Sequence, residues 1–467
     1  MKKLIALLLL ASSVLAHPTW ASATDLRVLI DVSGSMKAND PNALRRPAAE
    51  LIARLLPPSS QAGVWLFGTN SRSLVPYGEV DEQWRQATVQ SSQAISSSDQ
   101  FTDIEAALSD GLSPTTFDDK QCHVILVTDG LIDLAAGAAE IRESRARIES
   151  LWTQKAAAQQ CRIHTLALSG DADLALLNRL SQATGGLSAQ LQGASELIPV
   201  ILDALELALE DNRLPVSENA FTVDSSVTQQ TIISLDSDQP MTLISPSGVE
   251  ITPDQLPPNV EYQLADGFQL YQIQAPEQGQ WQASQNVTVD RVLAESELSL
   301  RIEELPGTLE LGQPANVVVR FAQTPESETS LEGSLVFQDN RQALDFSQEG
   351  ERFSAPLELE NLGQHSIVVT ASDGIVERQL SRSVRVIPGQ APIQLETGAT
   401  QSVEVFKAPE ALQPVNPVVV EPQSVAEVTP PTNSGLTLTQ WLWMIGAAGL
   451  GIVLLLAYWL SRAEKRA

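Results

Sequence analysis

Uniformly apolar runs, each followed by a stretch with helical periodicity, dominate the first 213 residues and restrict the fold more than any other feature. The runs are LRVLI (26–30), GVWLF (63–67), HVILV (123–127) and IHTLAL (163–168). A strand without polar alternation is buried on both faces, and helices between such strands provide parallel crossover connections. The pattern predicts an α/β domain over residues 24–213, built on an open, doubly wound parallel sheet.

The first helix of this domain has a start signal of its own. Asp40 and Pro41 match an N-cap followed by the first helical position. Apolar residues then recur at helical spacing until a proline pair at 57–58. The sequence therefore predicts a helix that begins at about residue 41.

Polar residues lie where three segments of the predicted sheet end. VLIDVSGSM carries Asp31, Ser33 and Ser35, QFTDIEAAL enters a helix at Thr102, and VILVTDG ends in Asp129. Ligands of open parallel sheets bind outside the carboxyl ends of the strands. Two carboxylates and three hydroxyls at one edge suit a hard cation, Mg²⁺ first and Mn²⁺ or Ca²⁺ next, with waters completing its coordination.

Each of these motifs also has a purely structural explanation. Asp31 or Ser35 can cap a turn, and Asp129 can belong to one. Thr102 and Glu105 match a capping box, which is a sufficient reason for a threonine at that position. A D-x-S-x-S string arises by chance in roughly one chain in ten of this length. The combination favours the metal site, because each motif falls at a predicted strand end.

These three stretches resemble the metal-ion-dependent adhesion site of von Willebrand factor type A domains. The resemblance covers residues 24–213, and implies that Ser33 and Ser35 bind the metal directly and that Thr102 binds it directly or through water. Asp31 and Asp129 would act mostly through waters and hydrogen bonds. In this family the metal accepts a further oxygen from an aspartate or glutamate of a protein partner, so the resemblance implies a binding function.

Three nearby residues qualify the resemblance. Phe101 stands where the family often has a glycine before the threonine, which leaves the conformation of the second loop open. Asp103 and Asp133 lie close enough in sequence to tune or replace a ligand, although a solvated surface position is the simpler expectation for both.

The sequence changes character after residue 213. Short alternating segments separated by Pro, Gly, Asp and Ser predict two all-β domains, a small sandwich over 214–293 and an immunoglobulin-like domain over 294–387. Residues 388–435 contain eight prolines and little pattern, as in a semi-extended linker. The expected fold is therefore an α/β domain followed by two β-sandwiches on a stalk.

The two ends of the chain predict export and anchoring. Residues 1–23 read as a signal peptide, with cleavage candidates after Ala16 and Ala23. Residues 436–461 form an uncharged, aromatic-flanked stretch long enough for one transmembrane helix, and residues 462–467, which include Arg462, Lys465 and Arg466, read as a short basic cytoplasmic tail. This layout resembles bacterial membrane-anchored proteins with the same domain, and predicts a single-pass inner-membrane protein whose folded part is periplasmic.

The charge of the chain limits its partners. The formal net charge is −28, which disfavours nucleic acid and anionic lipid surfaces as ligands. Anchoring in the membrane is expected only through the terminal helix. Cations and protein partners fit this charge better.

Cysteines and histidines suggest structural roles. Cys122 and Cys161 begin two of the apolar runs, so in neighbouring parallel strands they would lie at the same end of the sheet. A disulfide is then reasonable in an exported protein, and two separate buried thiols are the alternative. His123 and His164 lie inside apolar runs as core residues would. The pattern predicts no catalytic arrangement.

Three functions follow, in descending order of support. The first is a metal-dependent module that binds an acidic residue of a protein partner, as adhesion and scaffold proteins do. The second is a structural envelope tether whose metal loops only stabilise the fold. The third is a subunit of a chelatase-type complex, which export disfavours because the ATPase partners of such complexes are cytosolic.

Overall fold

The computed structural model describes residues 24–389 except 59, 116–119, 210–211, 236–237, 297–299, 304, 322–328, 339 and 373–376. The predicted signal peptide, transmembrane helix and cytoplasmic tail, and nearly all of the predicted linker, lie outside the described residues. Within the described ranges, no helix combines the length and apolarity needed to cross a bilayer.

A six-stranded sheet organises the N-terminal part, in the order β3-β2-β1-β4-β5-β6. Five strands are parallel, which confirms the predicted parallel sheet, whereas the edge strand β3 runs antiparallel to β2. Strand β3 was not predicted, because its sequence SRSLVPYGE contains no apolar run and buries only one side chain completely. The strands are β1 (Thr24–Asp31), β2 (Gln61–Phe67), β3 (Ser71–Glu79), β4 (Gln121–Thr128), β5 (Cys161–Ala167) and β6 (Ser188–Gln190).

Helices connect these strands and cover both faces of the sheet. They are α1 (Met36–Asn39), α2 (Arg45–Leu55), α3 (Glu82–Ser92), α4 (Ile104–Gly111), α5 (Ala138–Arg147), α6 (Thr153–Ala158), α7 (Leu174–Thr184) and α8 (Leu197–Leu209). A π-helical turn, Ile148–Trp152, joins α5 to α6, and a 3₁₀ turn, Ala194–Glu196, precedes α8.

The central strand β1 is buried along its whole length because its side chains serve two cores. Val28 and Ile30 pack into a cluster with residues of α2 and α8. Leu29, on the opposite face, packs into a second cluster with residues of α4 and α7. Burial on both faces explains the absence of polar alternation in this strand.

The two cysteines occupy facing positions at the amino end of the sheet. Cys122 on β4 is in register with Cys161 on β5, and a disulfide joins them with a Cα–Cα distance of 4.4 Å. Because parallel strands share direction, this crosslink lies at the opposite end of the sheet from Asp31 and Thr128.

From Asn212 onward every element that the structure describes is a strand. These strands are β7 (Asn212–Arg213), β8 (Ala220–Val223), β9 (Val227–Ser234), β10 (Leu243–Ile244), β11 (Glu250–Ile251), β12 (Val260–Ala265), β13 (Phe268–Gln274), β14 (Gly279–Ala283), β15 (Arg291–Ser296), β16 (Leu300–Glu303), β17 (Thr308–Glu310), β18 (Ala315–Phe321), β19 (Ser330–Phe337), β20 (Asn340–Leu344), β21 (Ser347–Glu349), β22 (Arg352–Leu357), β23 (Gly363–Ser372) and β24 (Glu377–Ile387).

This β-rich region has two hydrophobic cores, and one sheet passes through both. A ten-stranded sheet combines β12, β13, β9 and β15 with β24, β23, β19 and β20; β7 pairs with both β15 and β24, and the tenth strand, β17, pairs with β24. Two four-stranded sheets, β11-β10-β14-β8 and β16-β18-β22-β21, complete the region. The predicted boundary between residues 293 and 294 falls inside β15, so the chain continues from one core to the other within a strand.

Candidate metal centre

Three loops meet at the carboxyl end of the central strands and carry all five predicted site residues. The first follows β1, the second precedes α4, and the third follows β4. Four of the five side chains are almost completely buried, and Ser35 is exposed. The five residues are Asp31, Ser33, Ser35, Thr102 and Asp129.

Hydrogen bonds join the first loop to the third. The Ser35 hydroxyl donates to Asp129 Oδ1 at 2.8 Å, and the hydroxyls of Ser33 and Ser35 lie 3.1 Å apart. Main-chain pairing between Ser33 and Asp99 holds the first loop against the segment that leads to the second. The two serines and Asp129 therefore form one contiguous group of oxygens.

Asp31 is a buried carboxylate beneath this group. Its Oδ1 accepts from the Ser33 amide at 2.8 Å, and its Oδ2 accepts from the Thr128 hydroxyl at 2.6 Å. Burial raises the pKa of Asp31 to about 6, although these hydrogen bonds act in the opposite direction, and the nearby charge of Asp129 raises it further. A carboxylate whose charge is destabilised in this way is stabilised by a cation bound close by.

Thr102 reaches the same place through the second loop. Its backbone pairs with Asp133, with N–O distances of 2.9 and 3.1 Å. A Cβ atom added to Gly130 would lie 3.8 Å from Thr102 Oγ1 and 3.9 Å from Ser35 Oγ, so both hydroxyls border the same glycine of the third loop.

The capping explanation for Thr102 is wrong. The N-cap of α4 is Asp103, whose carboxylate accepts from the Ala106 amide at 2.9 Å. The neighbouring residue thus performs the role that the capping box assigned to the threonine. Asp103 is half-buried and its pKa is raised, chiefly by burial, whereas Asp133 is exposed and contacts the second loop through its backbone.

Asn39 also belongs to the candidate site, although none of the sequence motifs includes it. Its side-chain amide donates to Asp129 Oδ2 at 2.9 Å, while Ser35 occupies Oδ1. Both oxygens of Asp129 are thereby oriented by donors from α1 and the residue before it. A signal was present, because Asn39 follows Ser35 by four residues, which is the spacing that places two side chains on one helix face.

The donor set fits a hard divalent cation. Among the described residues there is no group of three or more His, Cys, Asp or Glu side chains able to hold a metal. The site consists instead of three hydroxyls backed by two carboxylates, which are oxygen ligands of the kind that Mg²⁺ accepts together with water. Ser33, Ser35 and Thr102 would hold the ion, and Asp31 and Asp129 would balance its charge.

Replacing Asn39 with alanine is expected to raise the Mn²⁺ dissociation constant about tenfold, because outer partners of a metal ligand typically contribute this much to affinity. Asn259→Ala is the matched control, since Asn259 also donates its side-chain amide once, to the Gln274 carbonyl in the β-rich region. Titration of the purified proteins with Mn²⁺, followed by electron paramagnetic resonance, measures both. Equal affinities of the two variants would contradict the role assigned to Asn39.

Two family models match the chain. The model described as von Willebrand factor type A domain matches residues 24–190, and the model described as hemicentin galactose-binding domain-like matches residues 206–297. The comparison with curated proteins finds no match.

The comparison with solved structures finds matches from bacteria and from a mussel. A von Willebrand factor type A protein from Catenulispora acidiphila is 11% identical, with a TM-score of 0.35, over 79% of this chain and 67% of that one. Proximal thread matrix protein 1 from the mussel byssus, with a zinc-occupied MIDAS motif, is 18% identical (TM-score 0.32) over 42% of this chain and 50% of its own. The chain thus spans half the length of the mussel protein. The conserved hypothetical protein BatB from Bacteroides thetaiotaomicron is 14% identical (TM-score 0.32) over 40% of this chain and 100% of its own.

Proposed function

Because residues 24–190 form a von Willebrand factor type A domain, we propose that this domain binds a divalent cation in its adhesion site and, through that cation, a carboxylate of a protein partner. The observation that carries the proposal is the convergence of Ser33, Ser35 and Asp129, which are joined by hydrogen bonds of 2.8 to 3.1 Å. Mg²⁺ is the ion we favour, with Mn²⁺ and Ca²⁺ as alternatives.

The charge balance of the site supports binding by the metal. Two carboxylates neutralise a divalent ion, while the three neutral hydroxyls leave it able to attract one more anionic oxygen. The net charge of −28 opposes an acidic partner, but exposed charges are screened beyond about 8 Å at physiological salt. At the contact itself, the cation outweighs this repulsion.

The role we propose is recognition without catalysis. The site residues are hydroxyls and carboxylates placed to hold an ion, and the paired histidines His123 and His164 are buried within the sheet. In the proposed arrangement the chain is a single-pass protein of the inner membrane, with its metal site in the periplasm and its C-terminus in the cytoplasm. The β-rich region then separates the site from the anchor.

Capture of partners from solubilised cell envelopes tests the proposal. The full-length protein should retain at least one protein in Mg²⁺ that it releases in EDTA, and Asp129→Ala should retain none of it. Asp254→Ala, which removes an exposed carboxylate from the β-rich region, should behave as the wild type. Retention that survives both EDTA and Asp129→Ala would favour a structural tether whose metal loops only stabilise the fold.

A further inference from the structure

A buried arginine lies directly behind the metal loops. Arg45, the first residue of α2, is 2% exposed and makes three side-chain hydrogen bonds. Its Nε donates to Asp40 Oδ2 at 2.6 Å, one terminal nitrogen donates to the Asp31 carbonyl at 2.6 Å, and the other donates to the Ser97 hydroxyl at 2.9 Å. One guanidinium thus contacts the turn before α2, the end of β1 and the segment that precedes the second metal loop.

Two of these contacts set the relative position of two metal loops. The Asp31 carbonyl belongs to the residue whose carboxylate lies beneath the site, and Ser97 belongs to the segment that continues to Thr102. The same segment is held to the first loop by the Asp99 amide, which donates to the Val32 carbonyl at 3.1 Å. A guanidinium is planar and rigid, so it fixes the distance between the groups that it joins.

The turn that presents Arg45 is strained, and Asp40 maintains it. Ala43 has φ of 54°, in the left-handed region that residues other than glycine seldom adopt. The Asp40 carboxylate accepts from the Leu44 amide at 2.7 Å and from the Arg45 amide at 3.3 Å, in addition to the guanidinium. The chain therefore holds an unfavourable backbone conformation at the position from which Arg45 reaches the metal loops.

We propose that Asp40 and Arg45 are positioning residues that set the affinity of the site for its cation without contacting it. This inference rests on the proposed metal site. Outer contacts of this kind commonly change metal affinity by about 10- to 100-fold when they are lost. The pair acts by holding the hydroxyls of the first loop at a fixed distance from Thr102.

The same domain contains a matched ion pair away from the site. Asp25 and Arg27 are completely buried at the other end of β1, and Arg27 also donates to the Gly111 carbonyl at 3.0 Å and to Gln159 at 3.3 Å. The Asp40–Arg45 pair is buried to the same extent. Replacing either arginine leaves a buried carboxylate without its cationic partner, so both replacements should destabilise the fold. Only Arg45, however, contacts the metal loops.

Mn²⁺ binding by the full-length protein separates a positioning role from a structural one. Arg45→Met should raise the Mn²⁺ dissociation constant about 10- to 100-fold, whereas Arg27→Met should change it by less than about twofold, although both variants should melt earlier. Arg45→Lys keeps the positive charge but loses the planar set of N–H donors, so this variant should also bind Mn²⁺ weakly. Asp40→Asn and Ser97→Ala are milder tests if Arg45→Met does not fold, and each should weaken Mn²⁺ binding.

Equal dissociation constants for the Arg45→Met and Arg27→Met variants would overturn the inference, as would wild-type affinity in Asp40→Asn together with Ser97→Ala. Failure of the wild type itself to bind Mn²⁺ would remove the metal site and the proposed function with it. Tight binding by the wild type with no effect at Arg45 would remove only the positioning role.

Discussion

Replacing Ser33 and Ser35 together with alanine is expected to raise the Mn²⁺ dissociation constant more than about 100-fold, beyond the loss typical of an outer contact. The reason is that the two hydroxyls are the proposed direct ligands, and Ser35 also donates to Asp129 at 2.8 Å. The double variant loses two ligands and the hydrogen bond that orients a charge-balancing carboxylate. Mn²⁺ reports on the site because it accepts the same oxygen ligands as Mg²⁺, and electron paramagnetic resonance measures its free concentration.

The chain contains a control with the same spacing. Ser245 and Ser247 of the β-rich region also stand two residues apart, and their hydroxyls lie 2.9 Å from each other. Their double replacement by alanine should leave the Mn²⁺ dissociation constant within about twofold of the wild type. If both double variants bind Mn²⁺ as the wild type does, the site is not a metal site, and the convergence of these oxygens serves the fold alone.

The parallel sheet and the convergence of the five candidate residues at one of its edges could be predicted from sequence because both depend on simple rules. Strands such as β1 and β4 contribute side chains to two cores, so their sequences are continuous apolar runs. Parallel strands end at one edge of a sheet, so Asp31 and Asp129 had to lie on the same side. These rules need no knowledge of which side chains meet.

Local capping patterns were less informative because several neighbouring residues satisfy the same pattern. Asp40 was predicted to cap a helix beginning at about residue 41, but α2 begins at Arg45 and the Asp40 carboxylate holds the turn before it. Thr102 matched a capping box, yet Asp103 is the cap. In both cases the pattern placed the start of the helix a few residues too early, because a local motif does not by itself identify which neighbouring side chain accepts from the backbone amides.

Contacts between distant segments could not be predicted. Arg45 meets Ser97 only because α2 and the 95–99 segment pack beside the end of β1. Strand β7 joins the two β cores because Arg213 pairs with Leu293 and with Gln379. Nothing in the alternation of these short strands indicates such a pairing, since every edge strand presents the same backbone donors and acceptors.

A buried histidine pair is expected to make the protein sensitive to acid. The Leu187 amide donates to His164 Nδ1 at 3.1 Å, so the proton of the neutral ring is on Nε2. That nitrogen lies 2.9 Å from His123 Nδ1, which must then accept. The arrangement requires both rings to be neutral, because protonation of either acceptor nitrogen breaks a hydrogen bond.

Burial also favours the neutral form of both histidine rings. The pKa of His164 is lowered to about 3, first by burial and then by the positive charges of Arg162 and Arg382. The pKa of His123 is also lowered well below its ordinary value, again mainly by burial. The unfolded chain, by contrast, binds these protons near the ordinary histidine pKa of about 6.5.

The sign of the pH dependence follows from this difference. The stability that neutral histidines contribute is fully present above pH 6.5 and is lost as the pH falls toward 3, because only the unfolded chain takes up the protons. The loss approaches about 1.4 kcal/mol per pH unit for a histidine that stays neutral in the folded protein, which is about 2 kcal/mol for His164 between pH 7 and pH 5, and His123 adds to it in the same direction. Urea unfolding at these two pH values measures it.

Replacing the histidines with side chains that do not titrate tests whether they cause this pH dependence of the unfolding free energy. Replacement of both His123 and His164 with glutamine, which can still accept from the Leu187 amide, should remove most of the change in unfolding free energy between pH 7 and pH 5. His365→Gln, which removes a single histidine of the β-rich region, should keep most of it. Asp31 contributes with the opposite sign, because its raised pKa favours the folded protein as the pH falls toward 4, but this contribution is common to all three proteins. A double variant with the wild-type slope would show that the pair is not the group that titrates, and that acid acts on the fold elsewhere.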